Sequence, residues 1–192
     1  MVLAGARAVF LANGYTAATT DMIQQAAGVS KSTVYAHYPN KEALFMAVVE
    51  AECERFLKAV GETRFAGERL ADILYAMARA YLDLVLSRDG LALYRAIVAE
   101  APRFPELGRR FYLAGPGAMN NIVARELEAA EARGEVALMG IGRDSAASLF
   151  VNMVRGEPHM QCLMHPESPA SAVQRDRWAS DAATAFLRAF QR

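Results

Sequence analysis

Apolar residues recur along this chain at steps of three and four. The clearest run is Leu70, Ile73, Leu74, Met77, Tyr81, Leu84 and Val85, which fall on one stripe of a 3.6-residue helix. Leu44, Val48, Val49, Phe56 and Val60 make a second stripe, and no stretch alternates apolar with polar residues as a half-buried strand would. The pattern predicts an all-α protein. Punctuating residues place the helix ends. Gly14-Tyr15 closes a first helix of about a dozen residues. Thr19-Thr20 offers a cap for a second helix, Asp21 to Ala27, with Asp21 set against its positive end. Gly28 ends that helix, since a left-handed residue costs glycine nothing. Ser30 caps a short third helix reaching about Tyr38. Pro39 stops it, and Asn40 caps a long fourth helix that ends at Gly61.

After an expected loop at 62–67, further helices are predicted over 70–86, 88–101, 106–133 and 143–164, with a terminal one reaching about Phe190. Gly115-Pro116-Gly117 should kink or break the third of these, and Gly156 and Pro158 disturb the fourth. The expected architecture is therefore about nine helices. Elements before the fourth helix are short and polar-capped, and later ones are long and apolar. That shift divides the chain into a three-helix head, residues 1–47, and a larger helical bundle, residues 48–192.

Composition narrows the function. Lys+Arg and Asp+Glu both total 21, so the 192-residue chain is formally neutral and is no polybasic nucleic-acid coat. Contact with nucleic acid has to come from a local face. Residues 1–41 carry Arg7, Lys31 and Lys41 against Asp21 alone, a small positive excess. A hydrophobic fraction of 54% excludes wholesale disorder. No apolar run is long enough for a membrane span, and the N-terminus reads poorly as a signal peptide, so a cytoplasmic protein is expected. The first helix is expected to begin at or near Met1, with no basic arm ahead of it. Cys53 and Cys162 match no metal spacing and read as core thiols. His159 and His165 are six positions apart, on different helix faces, which argues against a zinc pair. Without a glycine-rich phosphate loop, GxSxG, HExxH or CxxC, no enzyme activity, cofactor or metal is predicted.

The informative stretch is TTDMIQQAAGVSKSTVYAHYPNK, residues 19–41. Two short helices joined by Ala27-Gly28-Val29-Ser30 form a helix-turn-helix. Ile23 and Ala26 are expected to face inward with Val29 and Val34, and small Ala26 and Ala27 let the helices approach. Lys31, Ser32, Thr33, Tyr35 and His37 then point outward, where their polar groups suit base edges and phosphates. The plainer alternative is a solvated surface helix.

The segment VSKSTVYAHYPNKEALF resembles the recognition helix and the start of the next helix in the TetR family of transcriptional regulators. FLANGYTAATTDMIQQAAG resembles the same family's first and second helices. IVAEAPRFPELGRRFYLAGPGAM and LFVNMVRGEPHMQCLM more weakly resemble the ligand-binding half of one TetR subfamily. The resemblance implies a homodimer that binds a double-stranded DNA operator and responds to a small-molecule effector, most often as a repressor. It implies that Lys31, Ser32 and Thr33 read bases, and that Tyr35 and His37 touch phosphate or base edges. Thr20 would hold phosphate at the start of the second helix and Lys41 at the start of the fourth. Tyr38 would be a packing aromatic first and a phosphate contact second.

In the bundle, Leu149, Phe150, Met153 and Val154 form one late stripe. Val173, Ala182, Ala183, Phe186, Leu187 and Phe190 form another. By resemblance they pair with their copies in a dimer seam, with Leu149, Phe150, Met153, Ala183, Phe186, Leu187 and Phe190 at its centre; alternatively they close the monomer core. Polar residues set into apolar stripes are the candidates for an effector site: Tyr81, Tyr94, Arg95, Tyr112, Asn120, Asn152 and His159, with Met77, Phe111, Met153 and Met160 as walls. Such a lining suits a largely apolar molecule with one or two polar handles. The rival to a DNA-binding regulator is a helical binding or scaffold protein that no longer recognises an operator.

Overall fold

The computed structural model describes residues 1–61, 69–138 and 140–190, without the side chains at 56 and 59–61. The loop expected at 62–67 and the Phe56 and Val60 positions of the fourth-helix stripe lie outside what is described. Among the described residues there are ten helices and no β-strand element. In chain order they are α1 (Val2–Ala17), α2 (Thr20–Ala27), α3 (Lys31–His37), α4 (Lys41–Gly61), α5 (Leu70–Val85), α6 (Arg88–Glu100), α7 (Pro105–Ala114), α8 (Pro116–Ala132), α9 (Arg143–Met164) and α10 (Ala172–Phe190). The tenth comes from the break at Gly115-Pro116-Gly117. The Gly115 N–H donates to Phe111 O at 2.9 Å and closes α7, and Pro116 opens α8, where its missing N–H costs nothing.

Local chemistry sets the early helix ends. The Thr19 hydroxyl accepts the Met22 N–H at 3.2 Å, Ser30 Oγ accepts that of Thr33 at 3.2 Å, and Asn40 Oδ1 accepts that of Ala43 at 2.7 Å. Gly28 is left-handed (φ 65°, ψ 35°) and its N–H closes on the last carbonyls of α2. Gly14 takes φ 72° and ψ 178°, so α1 breaks there and adds one further turn to Ala17.

The chain folds as two compact units that do not follow its linear order. The head unit comprises residues 1–56 and 88–115, and the bundle unit residues 57–87 and 116–192. In space, then, α6 and α7 join the head, although the composition shift lies at the fourth helix. Burial and charge explain why. Ile97 of α6 and Leu107 of α7 share a core with Phe10, Ile23, Val34, Leu44, Phe45 and Val48. The Tyr15 ring lies 5.1 Å from Phe45 and 5.4 Å from Phe104. Arg7 of α1 donates from Nε to Glu52 of α4 at 2.7 Å and from Nη2 to Asp89 of α6 at 2.5 Å. At the other end of α6, Glu100 accepts from the Thr16 hydroxyl at 2.7 Å.

Within this unit α2 buries Ile23 and Ala27, while Ala26 is exposed. The inward position is therefore Ala27 rather than Ala26. The reason is Gly5 of α1: a Cβ built there would lie 2.7 Å from Ala27 Cβ and 2.7 Å from Ala27 N. The two backbones approach closely at that point, which periodicity within α2 does not reveal.

The bundle unit packs α5, α8, α9 and α10 around Leu74, Met77, Leu82, Met119, Leu127, Phe150 and Phe186. Phe186 stands edge-on to Phe150 at 5.3 Å and lies 4.8 Å from Phe190. A charged cluster ties α10 to α5. Arg79 Nε donates to Asp176 at 2.6 Å and its Nη1 pairs with Asp83, while Arg175 Nε meets Asp83 at 3.1 Å. Pro158 sits inside α9 and is buried, so the carbonyl four residues back receives no N–H from it. No helix among the described residues is long and apolar enough to cross a membrane.

Candidate nucleic-acid interface

The two short helices of the head present one polar face. Val34 is the buried residue of α3, and Lys31, Ser32, Tyr35 and His37 are exposed. Thr33 is half-buried. Its hydroxyl lies 2.8 Å from Ser30 Oγ, which also lies 2.7 Å from Ser32 Oγ. Three hydroxyls thus cluster at the start of α3, each able to turn and donate to, or accept from, a base edge. Thr20 is half-buried at the first turn of α2, whose first N–H groups have no carbonyl partner within the helix. Tyr38 is half-buried and packs against the head core, as its packing role requires.

All three cations of residues 1–41 are engaged within the protein. Lys41 turns inward: Nζ donates to Tyr15 O at 2.9 Å and Ala18 O at 3.0 Å, and lies 4.4 Å from the centre of the Tyr15 ring. It therefore closes the end of α1, with one N–H left over for a phosphate. Lys31 Nζ donates to Asp21 Oδ1 at 3.1 Å, and that hydrogen bond and charge hold its ammonium above the ordinary lysine range. Arg7, in its Glu52 and Asp89 bonds, is likewise a structural cation. On α7, Arg109 and Arg110 both bond Glu106, and Arg110 also reaches Glu50 at 2.9 Å. They lower the Glu106 carboxyl to about 2. The Glu106 pairs with Arg109 and Arg110 follow helical i,i+3 and i,i+4 spacing and are legible along the chain, whereas those of Arg7, Lys31 and Lys41 join residues on different helices and are not. For the Lys31 pair, an Asp in the first turn of α2 and a Lys opening α3 are the linear hint.

Replacing Lys41 by Met is expected to act twice. It strands two carbonyls at the end of α1, lowering head stability by about 1–3 kcal/mol, and it weakens binding to every duplex alike. Thermal melting without DNA checks the first effect; an unchanged melting curve would leave Lys41 with a phosphate role alone.

The remaining candidates divide between the units. Tyr94, Arg95, Phe111 and Tyr112 belong to the head unit, where the Tyr94 and Phe111 rings are 6.4 Å apart and Tyr112 is exposed. Met77, Tyr81, Asn120, Asn152, Met153, His159 and Met160 belong to the bundle unit. Met77, Tyr81 and His159 are buried there. Asn120 Oδ1 is buried and has no hydrogen-bond partner among the described residues. Asn152, Met153 and Met160 face outward instead. The dimer candidates also separate. Phe150, Ala183 and Phe186 are buried within their own unit, so they are core and cannot present a seam. Leu187 and Phe190 are half-buried, and Leu149 and Met153 are exposed. Met160 and Met164 continue the exposed line along α9, and Val173 stands open on α10.

A buried scaffold carrying an exposed polar helix after a glycine turn defines a helix-turn-helix DNA-binding regulator. Residues 2–48 match the family model of bacterial regulatory proteins of the tetR family, and residues 72–192 match that of the AefR-like transcriptional repressor C-terminal domain. The chain belongs to the TetR family of DNA-binding transcriptional regulators. It is 34% identical to the flavonoid-responsive regulator FrrA, with a TM-score of 0.79 over 99% of this chain and 95% of FrrA. A TetR-family transcriptional regulator from Mesorhizobium loti MAFF303099 superposes with a TM-score of 0.86 at 27% identity, covering 100% of this chain and 95% of its own. The HTH-type transcriptional repressor AcnR of Corynebacterium efficiens is 34% identical over 61 residues, a stretch that spans 32% of this chain and 32% of AcnR.

Proposed function

We propose that this protein is a repressor that binds a pseudo-palindromic operator as a homodimer and is released by a small, largely apolar effector. The observation that carries the reading is the outward face of α3, with hydroxyls at its start and Tyr35 and His37 beyond. Lys31, Ser32 and Thr33 read bases; Tyr35, His37, the α2 start at Thr20 and the spare N–H of Lys41 hold phosphate. Two heads supply two half-sites in successive major grooves. The exposed apolar line Leu149, Met153, Met160 on α9 favours a seam between copies there. Effector recognition is assigned to α5, α8 and α9, where Met77 and Tyr81 offer buried surface and Asn120 Oδ1 an unmatched acceptor. A polyphenolic effector is favoured, because such molecules combine apolar rings with hydroxyl donors and because FrrA is described as flavonoid-responsive.

The test is a fluorescence anisotropy titration on a selected operator, with and without a panel of hydroxylated flavonoids. A coupling of about 1–3 kcal/mol would weaken operator binding roughly 5- to 150-fold. Asn120→Leu should blunt that response and leave effector-free DNA affinity intact. A panel with no effect on binding would remove the polyphenol assignment.

Salt dependence offers a separate check. Arg7, Arg109 and Arg110 are engaged by carboxylates, and Lys31 shares its charge with Asp21, so each recognition face offers Lys41 in full and Lys31 in part. Two to four cations per dimer, at about 0.9 each, give a log–log slope between about −2 and −4. A slope of about −8 would require a basic surface outside α2, α3 and the start of α4.

A further inference from the structure

Between α2 and α3 lies an open groove of about 680 Å³, bounded by Asp21, Gln24, Gln25, Gly28, Val29, Ser30 and Lys31. Asp21 and Lys31 are the charged residues among these, and they pair with Nζ 3.1 Å from Oδ1. Both are exposed, so the pair adds little to stability. Its position is what matters. Asp21 is in the first turn of α2, the helix start assigned above to phosphate, where a carboxylate would repel the DNA backbone. Lys31 opens the recognition helix.

We propose that Asp21 is a specificity-determining residue that aims Lys31 at a base edge and keeps it off the phosphates. Donors and charges decide which acceptor Lys31 can reach. An ammonium has three N–H groups; one bonded to Asp21 leaves two for guanine O6 and N7, which are neutral acceptors that do not require the pair to open. A phosphate, by contrast, competes with Asp21 for the charge itself and meets the carboxylate's repulsion on approach. Binding to arbitrary duplex is almost entirely phosphate electrostatics, so the pair weakens it selectively and widens the gap between operator and other DNA.

The inference rests on the assignment of Lys31 to base reading, and the experiment separates the two. Wild type, Asp21→Asn, Asp21→Glu, Lys31→Gln and the double variant are titrated against a selected operator, its single-base variants and a non-operator duplex, across a fourfold range of salt. Asp21→Asn should bind non-operator DNA more tightly, with a slope steeper by about 0.9 per head, so that its advantage shrinks about 3.5-fold per head across that range. Preference at one base pair should fall about fivefold or more, Asp21→Glu should restore it, and Asp21→Asn should change nothing further once Lys31 is Gln. If Lys31→Gln leaves every base preference intact, the base-reading assignment fails. If Lys31→Gln relaxes one position but Asp21→Asn changes neither slope nor preference, the role of Asp21 is overturned. Loss of all DNA binding by a folded Asp21→Asn protein would also overturn it, since the carboxylate would then be a DNA contact itself.

Discussion

Phe186→Asp is expected to unfold the bundle unit, whereas Met153→Asp leaves it folded and separates the proposed dimer. Phe186 is 0% exposed and held between Phe150 and Phe190. Truncating a buried Phe costs about 3–5 kcal/mol from the lost burial and the cavity. An unpaired carboxylate in the same place adds several more, and the sum approaches the about 5–15 kcal/mol that holds a typical domain. Circular dichroism should show lost helicity and no cooperative melt. Met153 is 44% exposed on α9, so a charge there changes the stability of a single chain by about 0.5 kcal/mol or less. In a seam between copies the same charge would be buried, and sedimentation should then report monomer. A folded Phe186→Asp protein would contradict the packing. An unchanged Met153→Asp dimer would move the seam off α9.

Gly5→Ala should be the most damaging methyl group in the head. The added Cβ would stand 2.7 Å from the backbone N of Ala27 and 2.8 Å from its Cα, and backbone has no rotamer by which to withdraw. Overpacking of this kind costs about 1–3 kcal/mol, partly offset by the about 1 kcal/mol by which alanine exceeds glycine as a helix former. The larger effect is on geometry. Pushing α2 away from α1 also moves α3, which follows α2 through the Gly28 turn. Losing one good base contact per head would weaken operator binding about tenfold or more. Ala4→Ser, at the exposed neighbouring position, is the control and should change neither melting nor affinity. Equal operator affinity for Gly5→Ala and wild type would mean that the α1–α2 contact does not set the aim of α3.

The head was largely legible in sequence because its signals are local. Thr19, Gly28, Ser30 and Asn40 each act within four residues, and each caps or turns as its type predicts. What was illegible depends on which element lies opposite. Ala26 and Ala27 are equivalent by periodicity, and Gly5 on another helix decides between them. Lys41 reads as a surface cation until Tyr15 is placed beneath it. Arg7 reads as a positive charge for DNA until Glu52 and Asp89 meet it. In the bundle, α9 carries apolar residues on both sides. Phe150 and Met153 therefore look alike in sequence, and only packing against α10 makes the first core and leaves the second exposed.

Operator recognition is tested by selecting random duplexes with this 192-residue chain and titrating the enriched sequence against unselected DNA. The expected product is a pseudo-palindrome whose half-sites are spaced by about one helical turn or a multiple of it, bound at least about 10³-fold more tightly than unselected duplex, with Thr33→Ala relaxing one position in each half. Absence of any enriched sequence, with binding that vanishes into the non-specific range at physiological salt, would contradict operator recognition and favour the scaffold reading.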